Sequence, residues 1–247
     1  MPIYTIGHQL TILETVDSSN NYAMGQLQEQ KAVHGQVYFA LEQTAGKGQM
    51  GKQWISEPAS NIMASIVLET SGLAHSDQFF LSMAMALGCR HWFAEYAGEE
   101  TLVKWPNDLY WRDRKAGGIL IENKWLGAEW QFAVVGIGIN INQKVFPDTP
   151  RKAVSLRQIT GREMDLLQEL RRLCNSLELR WQQLLHGRYK EIFSDYQRYL
   201  FGRDQLCRLR KNNIVFETRI KGVSITGELQ TQDQVDRQFK VGEIEWL

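Results

Sequence analysis

The spacing of apolar residues divides the chain into short strands, four helices and a strand-rich tail. Residues 36–41 carry Val37, Tyr38 and Phe39, and residues 61–68 read NIMASIVL, so both predict β-strands, the second one buried. Ile12 and Leu13 mark a short first strand. Tyr22, Met24 and Leu27 predict a helix that any residue of Asp17-Ser18-Ser19-Asn20-Asn21 can cap. Residues 76–96 have a nearly continuous apolar body, which predicts a buried helix capped at Ser76. Met83, Met85, Leu87, Trp92 and Phe93 in it read as core rather than as a ligand box. Residues 130–141, WQFAVVGIGINI, form an apolar strand whose Gly136, Gly138 and Asn140 recur at period two on one face and leave room there for a ligand. Leu166, Leu167, Leu170, Leu173, Leu177, Trp181, Leu184 and Leu185 follow helical spacing, with Thr160-x-x-Glu163 as a capping box and an end near Gly187. A further helix runs to Tyr199. Beyond Gly202, residues 206–209, 214–220, 222–226 and 241–246 are short β-rich pieces between polar turns, the pattern of a small barrel.

Chemistry concentrates in residues 103–122, VKWPNDLYWRDRKAGGILIE. Two short strand signals, Leu102-Val103 and Leu109-Tyr110-Trp111, and the polar turn Arg112-Asp113-Arg114 make a hairpin. Lys115 stands at its mouth, just before Gly117-Gly118, where the missing Cβ atoms let a ligand approach the backbone beside a cation. An anion fits such a place. Each feature alone is met by a turn, a solvated tip or a bulge; together they mark a site.

A second stretch, residues 42–54, reads EQTAGKGQMGKQW. Gly46-x-x-x-x-Gly51-Lys52 has most of a P-loop, yet Gln53 stands where a hydroxyl would hold magnesium, and Trp54-Ile55-Ser56 with Pro58 replaces the helix. What remains is a flexible loop with three glycines and two lysines, able to fold amides and cations over a phosphate. Gly136-x-Gly138 lacks the third glycine of a dinucleotide fingerprint, and no helix follows it.

Composition narrows the classes further. With 247 residues, 43% of them hydrophobic and 23% charged, the chain can bury one full core plus a small second domain. Its 28 basic residues balance 28 acidic ones, so no net field collects nucleic acid or anionic membrane, and an anionic ligand needs a local site. Cys89, Cys174 and Cys207 form no CxxC pair, and the five histidines show no ligand spacing. The N-terminal residues lack a charged n-region and a long apolar core, which with the cysteine usage points to the cytoplasm.

KWPND, a second lysine eleven positions after Lys104 at Lys115, and the Gly-rich strand behind it resemble biotin-protein ligases. The resemblance extends over residues 12–142 and returns more weakly from residue 200. Ser18-Ser19-Asn20 matches the family's Ser-Thr-Asn with a hydroxyl retained, and GKGQMGKQW matches GRGRxGRxW, so four motifs occur in family order. The resemblance implies an α+β fold: a mixed β-sheet catalytic domain over residues 1–199, then an SH3-like β-barrel over residues 200–247. It implies two steps. Biotin and ATP give biotinyl-5′-AMP and pyrophosphate, and biotin then passes to a lysine of a biotin carboxyl carrier protein, such as that of acetyl-CoA carboxylase. Carried over by motif, Lys115 and Lys47 are the catalytic cations, and Ser18, Ser19, Asn20, Gln43, Gly46, Gly48, Lys115 and Gly118 surround biotin. Lys47, Gln49, Gly51, Trp54, Asn107, Asp108, Gly138 and Asn140 surround the nucleotide, with Asp108 a possible ligand of Mg2+. A monomer or weak homodimer is expected, with neither nucleic acid nor membrane as partner.

Two other readings compete. A lipoate or octanoate ligase or transferase has the same fold, but octanoyl transfer needs a thiol, and the three cysteines fall in two predicted helices and the terminal barrel. The lipoate-ligase loop pattern RRxSGGG is also missing. A non-catalytic biotin-binding module would be expected to have lost the lysine, and Lys115 is present. Some relatives carry a helix-turn-helix domain ahead of the Ser-Thr-Asn segment; with sixteen residues before Asp17, the single-function type is expected.

Gln49 replaces a cation of the family's loop and cannot offset phosphate charge, so loop closure should be weaker. Losing one charge-assisted contact costs about 1.5 to 3 kcal/mol, or roughly a ten- to hundredfold faster escape of the intermediate. Gln49→Arg is expected to slow release of biotinyl-5′-AMP in stopped flow; equal release rates would show that Lys47 or Lys52 compensates.

Overall fold

The computed structural model describes residues 5–147 and 152–247. Seven strands form one mixed sheet: β1 (Leu10–Val16), β2 (Val37–Gln43), β3 (Ile62–Glu69), β4 (Thr101–Lys104), β5 (Asp108–Trp111), β6 (Arg114–Leu126) and β7 (Glu129–Ile139). Their order is β1-β2-β3-β7-β6-β5-β4, with β1 parallel to β2 and every other neighbour antiparallel.

The period-two alternation of these strands splits the core between the two faces of the sheet. Val37 and Phe39 of β2, Ile62, Ala64, Ile66 and Leu68 of β3, and Ala133, Val135, Ile137 and Ile139 of β7 face one large cluster. That cluster is covered by α2 (Gln78–Ala97), α4 (Leu166–Leu185) and α5 (Tyr189–Arg198). Tyr38, Val67 and Val134 point to the other face and meet Ala23 and Leu27 of α1 (Ser19–Gln28). Burial on both faces explains the apolar run of β3, broken only at Ser65 before its last residue, which alternation alone could not have assigned.

α2 is buried nearly all round because the sheet lies under it and α4 crosses over it. At that crossing Gly88 is essential: a Cβ there would stand 2.9 Å from Leu177 Cδ2 and 3.1 Å from its Cα. α4 buries Leu170, Leu173, Leu177, Trp181 and Leu184, the stripe its spacing predicts. Its cap differs from expectation. Thr160 ends α3 (Leu156–Thr160), whose own capping box is Ser155 with Gln158, while Asp165 caps α4 by accepting from the backbone N–H of Leu167 and Gln168. α2 likewise starts after a 3-10 turn, His75–Asp77, and the Asp77 carboxylate accepts from Ala74 N instead of Ser76 acting as cap.

The tail is a second, antiparallel sheet of β8 (Leu206–Lys211), β9 (Ile214–Val223), β10 (Leu229–Gln232), β11 (Asp236–Phe239) and β12 (Glu245–Trp246), ordered β11-β10-β9-β8-β12. It is open rather than the closed barrel the pattern suggested, because β12 pairs its two residues with β8 and does not reach β11. The strand expected over residues 222–226 ends at Val223, where Gly227 turns the chain at φ 97°. β11, Asp-Arg-Gln-Phe, has no apolar alternation to announce it. Among the described residues, no helix is long and apolar enough to cross a membrane.

Candidate functional site

The face of the large sheet that carries α1 is apolar beneath the C-terminal half of that helix and small beneath its N-terminus. Across β6 and β7, Gly118 pairs with Gly138 and Leu120 with Gly136, and Gly136 in turn faces Ser65 of β3. A Cβ on Gly136 would come within 2.3 Å of Asn20 Oδ1, and one on Gly138 within 2.6 Å of Trp54 Cε2. Glycine is therefore required for α1 and the loop of residues 44–54 to lie against the sheet. Lys104, Asp108, Gly118 and Gly138 are successive partners across β4, β5, β6 and β7, so one cross-strand row leads from two charged side chains onto bare backbone.

The result is a cleft of about 540 Å³, a size suited to a small organic ligand. Ser18, Ser19, Asn20, Gln43, Lys47, Gly48, Gln49, Trp54, Asn107, Asp108, Lys115, Gly118 and Gly138 line it, so residues drawn from all four sequence motifs converge there. Four lysines, Lys47, Lys52, Lys104 and Lys115, reach its wall against two carboxylates, Asp108 and Glu245. That excess of cations favours an anionic ligand in a chain without net charge.

Each side chain is held by a neighbour. Lys115 Nζ is 2.6 Å from Asp108 Oδ1, and a Cβ on Gly118 would sit 3.4 Å from that nitrogen, so the ammonium lies directly over the glycine. Lys47 of the loop reaches Glu122 at 3.2 Å, and the same carboxylate accepts from Asn20 Nδ2 at 2.8 Å. Ser65 Oγ donates to Ser19 Oγ at 2.7 Å, and Gln43 Oε1 accepts from Ser19 N at 2.7 Å. The backbone N–H and C=O of Ile119 are both satisfied by Asn107, so the KWPND turn is fastened to β6.

Gly46, Gly51 and Asn140 are not on the cleft wall. Gly46 makes a tight turn in which a Cβ would meet the Trp54 carbonyl oxygen at 2.5 Å, and Gly51 turns the loop at φ 73°. Asn140 is buried and donates from Nδ2 to the carbonyls of Val154 at 3.2 Å and Lys115 at 3.4 Å, so it fastens the segment after residue 152 beside β6. Several lining or supporting residues had no signal in the sequence. Ser65 and Glu122 lie inside strands whose apolar neighbours hide them, and Val241, Gly242, Ile244, Glu245 and Trp246 come from the far end of the chain. Among the described residues, no three of His, Cys, Asp and Glu gather as metal ligands, and Asp108 is already paired with Lys115. The described residues thus form no carboxylate cage of the kind that holds a divalent cation by itself.

All three thiols lie off the wall. Burial pushes Cys174 up to about 12 and Cys207 up to about 11, and raises Cys89 as well, so none is a ready nucleophile.

The profile of the Biotin/lipoate A/B protein ligase family matches residues 12–140, and the chain belongs to that family. It is similar to the bifunctional ligase/repressor BirA of Bacillus spizizenii, 29% identical over 94% of this chain and 72% of that protein. It is also similar to the biotin-[acetyl-CoA-carboxylase] ligase of Mycobacterium tuberculosis, 29% identical over 70% of this chain and 64% of that protein. Among solved structures, the biotin protein ligase of Aquifex aeolicus in complex with biotin and ATP superimposes with a TM-score of 0.82, covering 97% of this chain and 99% of that one at 23% identity. That likeness concerns the fold.

Trp54 packs on the backbone of Gly138 with no room for a methyl group between them. Gly138→Ala is expected to leave the melting temperature near that of the parent while trypsin cuts the loop after Lys47 or Lys52 several times faster. Unchanged cleavage would mean that Trp54 stays seated and that the glycine is not required for loop docking.

Proposed function

We propose that this chain is an ATP-dependent biotin-protein ligase. The observation that carries the reading is the Lys115 ammonium, oriented by Asp108 at 2.6 Å over bare Gly118 backbone in a lysine-lined cleft. A carboxylate is already ionised at neutral pH, so its activation needs little acid-base help. The obstacle is Coulombic: a carboxylate oxygen must approach the α-phosphorus of a triphosphate. One ammonium about 4 Å away offsets roughly 4 kcal/mol at an effective dielectric of about 20. Lys115 supplies that charge where carboxylate and phosphate meet, and Lys47 adds a second from the loop. The new P–O bond forms to biotin as the bond to the β-phosphate breaks and pyrophosphate departs. In the second step the amine of a carrier lysine attacks the acyl carbon, and AMP leaves.

Ser18, Ser19, Asn20 and Gln43 offer hydroxyl and amide groups of the kind a ureido ring needs, and Trp54 with Gly136 and Gly138 supplies an apolar wall. Gly46 and Gly48 shape the loop beside biotin. Gln49, Gly51, Asn107, Asp108 and Asn140 belong to the nucleotide side, Gly51 and Asn140 by shaping backbone rather than by contact. Magnesium, where it accompanies the phosphates, would offset their charge, and Asp108 is a cleft-wall carboxylate that would hold it. The acceptor is a biotin carboxyl carrier domain, and the chain acts in the cytoplasm as a monomer or weak homodimer. We take residues 1–199 as the catalytic unit and 200–247 as an SH3-like module in an open form. An octanoyl transferase is disfavoured by the thiols, none of which lines the cleft.

Lys115→Ala is expected to reduce biotin-dependent ATP-pyrophosphate exchange by a factor of roughly a thousand, since the lost ammonium accounts for about 4 kcal/mol. Its melting temperature should stay close to the parent's, because the side chain is partly exposed and packs little. Exchange at the parental rate in a folded variant would remove Lys115 from the mechanism.

A further inference from the structure

Lys104 opens the KWPND turn, yet its ammonium is held from beyond that turn. It lies 4.6 Å from the ring centroid of Tyr110, 5.3 Å from that of Phe201 and 4.8 Å from that of Trp246, and 3.5 Å from Tyr110 Oη. Three aromatic faces around one cation form a cage, which orients the ammonium through the ring quadrupoles. Tyr110 belongs to the large sheet, Phe201 to the segment joining the two sheets, and Trp246 to the small sheet. Phe201 also packs edge-on against Trp246 at 6.2 Å and tilted against Tyr110 at 5.1 Å, so it braces the other two rings.

Lys104 and Trp246 both line the ligand cleft, together with Val241, Gly242, Ile244 and Glu245 of the small sheet. Lys104 faces Asp108 across the β4-β5 ladder, and the Asp108 carboxylate is engaged by Lys115. The small sheet is seated firmly enough to transmit position. Trp105 Nε1 donates to the carbonyl of Gly227 at 2.9 Å and Gln197 Nε2 to that of Val223 at 2.7 Å, while within the small sheet Leu247 N donates to the carbonyl of Arg208 at 3.1 Å beside Trp246.

We propose that Trp246 is a positioning residue for the nucleotide: its indole closes the aromatic cage and so holds the Lys104 ammonium on the cleft wall as a further cation, beside Lys115 and Lys47, for the phosphates of ATP. The small sheet is thereby part of the ligand site rather than an appendage. The proposal rests on the ligase reading for its choice of ligand, and its test separates the two.

Steady-state exchange by Trp246→Ala is expected to show KM for ATP raised roughly three- to thirtyfold, the worth of one ring face, with KM for biotin within about twofold of the parent. Trp246→Phe, which keeps a ring, should restore most of the ATP affinity. In a Lys104→Met background, Trp246→Ala should add nothing to the loss of ATP affinity, because the indole acts through that ammonium. Should alanine unfold the small sheet, Trp246→Leu carries the test, since it keeps bulk but has no ring face and must raise KM for ATP where Phe does not. Equal effects on biotin and ATP, equal behaviour of Leu and Phe, or additive effects of the two substitutions would overturn the proposal. Calorimetric titration with ATP needs no turnover. A Trp246-dependent ATP affinity in a chain that exchanges no pyrophosphate would support the cage and sink the ligase reading, whereas an active chain whose ATP affinity ignores Trp246→Ala would sink the cage alone.

Discussion

Gly118, Gly136 and Gly138 stand at neighbouring ladder positions on one face of the large sheet, and the rest of the site depends on their lacking Cβ atoms. Larger residues there would separate the N-terminus of α1 from β7 and lift Trp54 off the backbone. The same face a few residues further along carries Val67 and Val134 and packs under Ala23 and Leu27. A single alternation thus serves as core at one end and as the floor of a cleft at the other. The opposite face carries the large apolar cluster and is covered by α2 and α4.

On that floor the charges are arranged so that the cations are oriented but not buried away. The Lys115-Asp108 pair is about one quarter exposed on the lysine side, which makes it modest as a contributor to stability. Its value is geometric, since an ammonium tied to a carboxylate on the adjacent strand has little freedom to leave the cleft. Glu122 does the same for Lys47 while also holding Asn20, which couples the loop to the helix beside it. Aromatic rings do it for Lys104.

Much of this was legible in the residues, for physical reasons that also explain the failures. KWPND, Lys115 and the Gly-rich strand could be recognised because a site needs backbone access and charge within one short hairpin. Ser19 and Gln43 are brought together by the parallel pairing of β1 with β2, and both lay in motifs already singled out. Glu122 and Ser65 were invisible, as a polar residue inside an apolar strand gives no sign of which face it takes. The part played by Val241 to Trp246 was beyond reach as well, because it depends on the packing of two sheets far apart in sequence. The open second sheet failed for a related reason. Strand spacing indicates how many strands there are, but closure depends on whether the last strand is long enough to meet the first, and β12 has two residues. Asn140 was read at period two along β7, which ends at Ile139, so its amide turns to the carbonyls of Lys115 and Val154, a contact the alternation gave no sign of.

The central claim is that a lysine-lined cleft on a glycine floor joins a biotin carboxylate to the α-phosphate of ATP. The most direct measurement is exchange of labelled pyrophosphate into ATP with biotin or lipoate as the only carboxylate supplied. Exchange that requires biotin and is near background with lipoate is the predicted result. Exchange supported equally by lipoate, or absent with biotin in a folded chain, would contradict it.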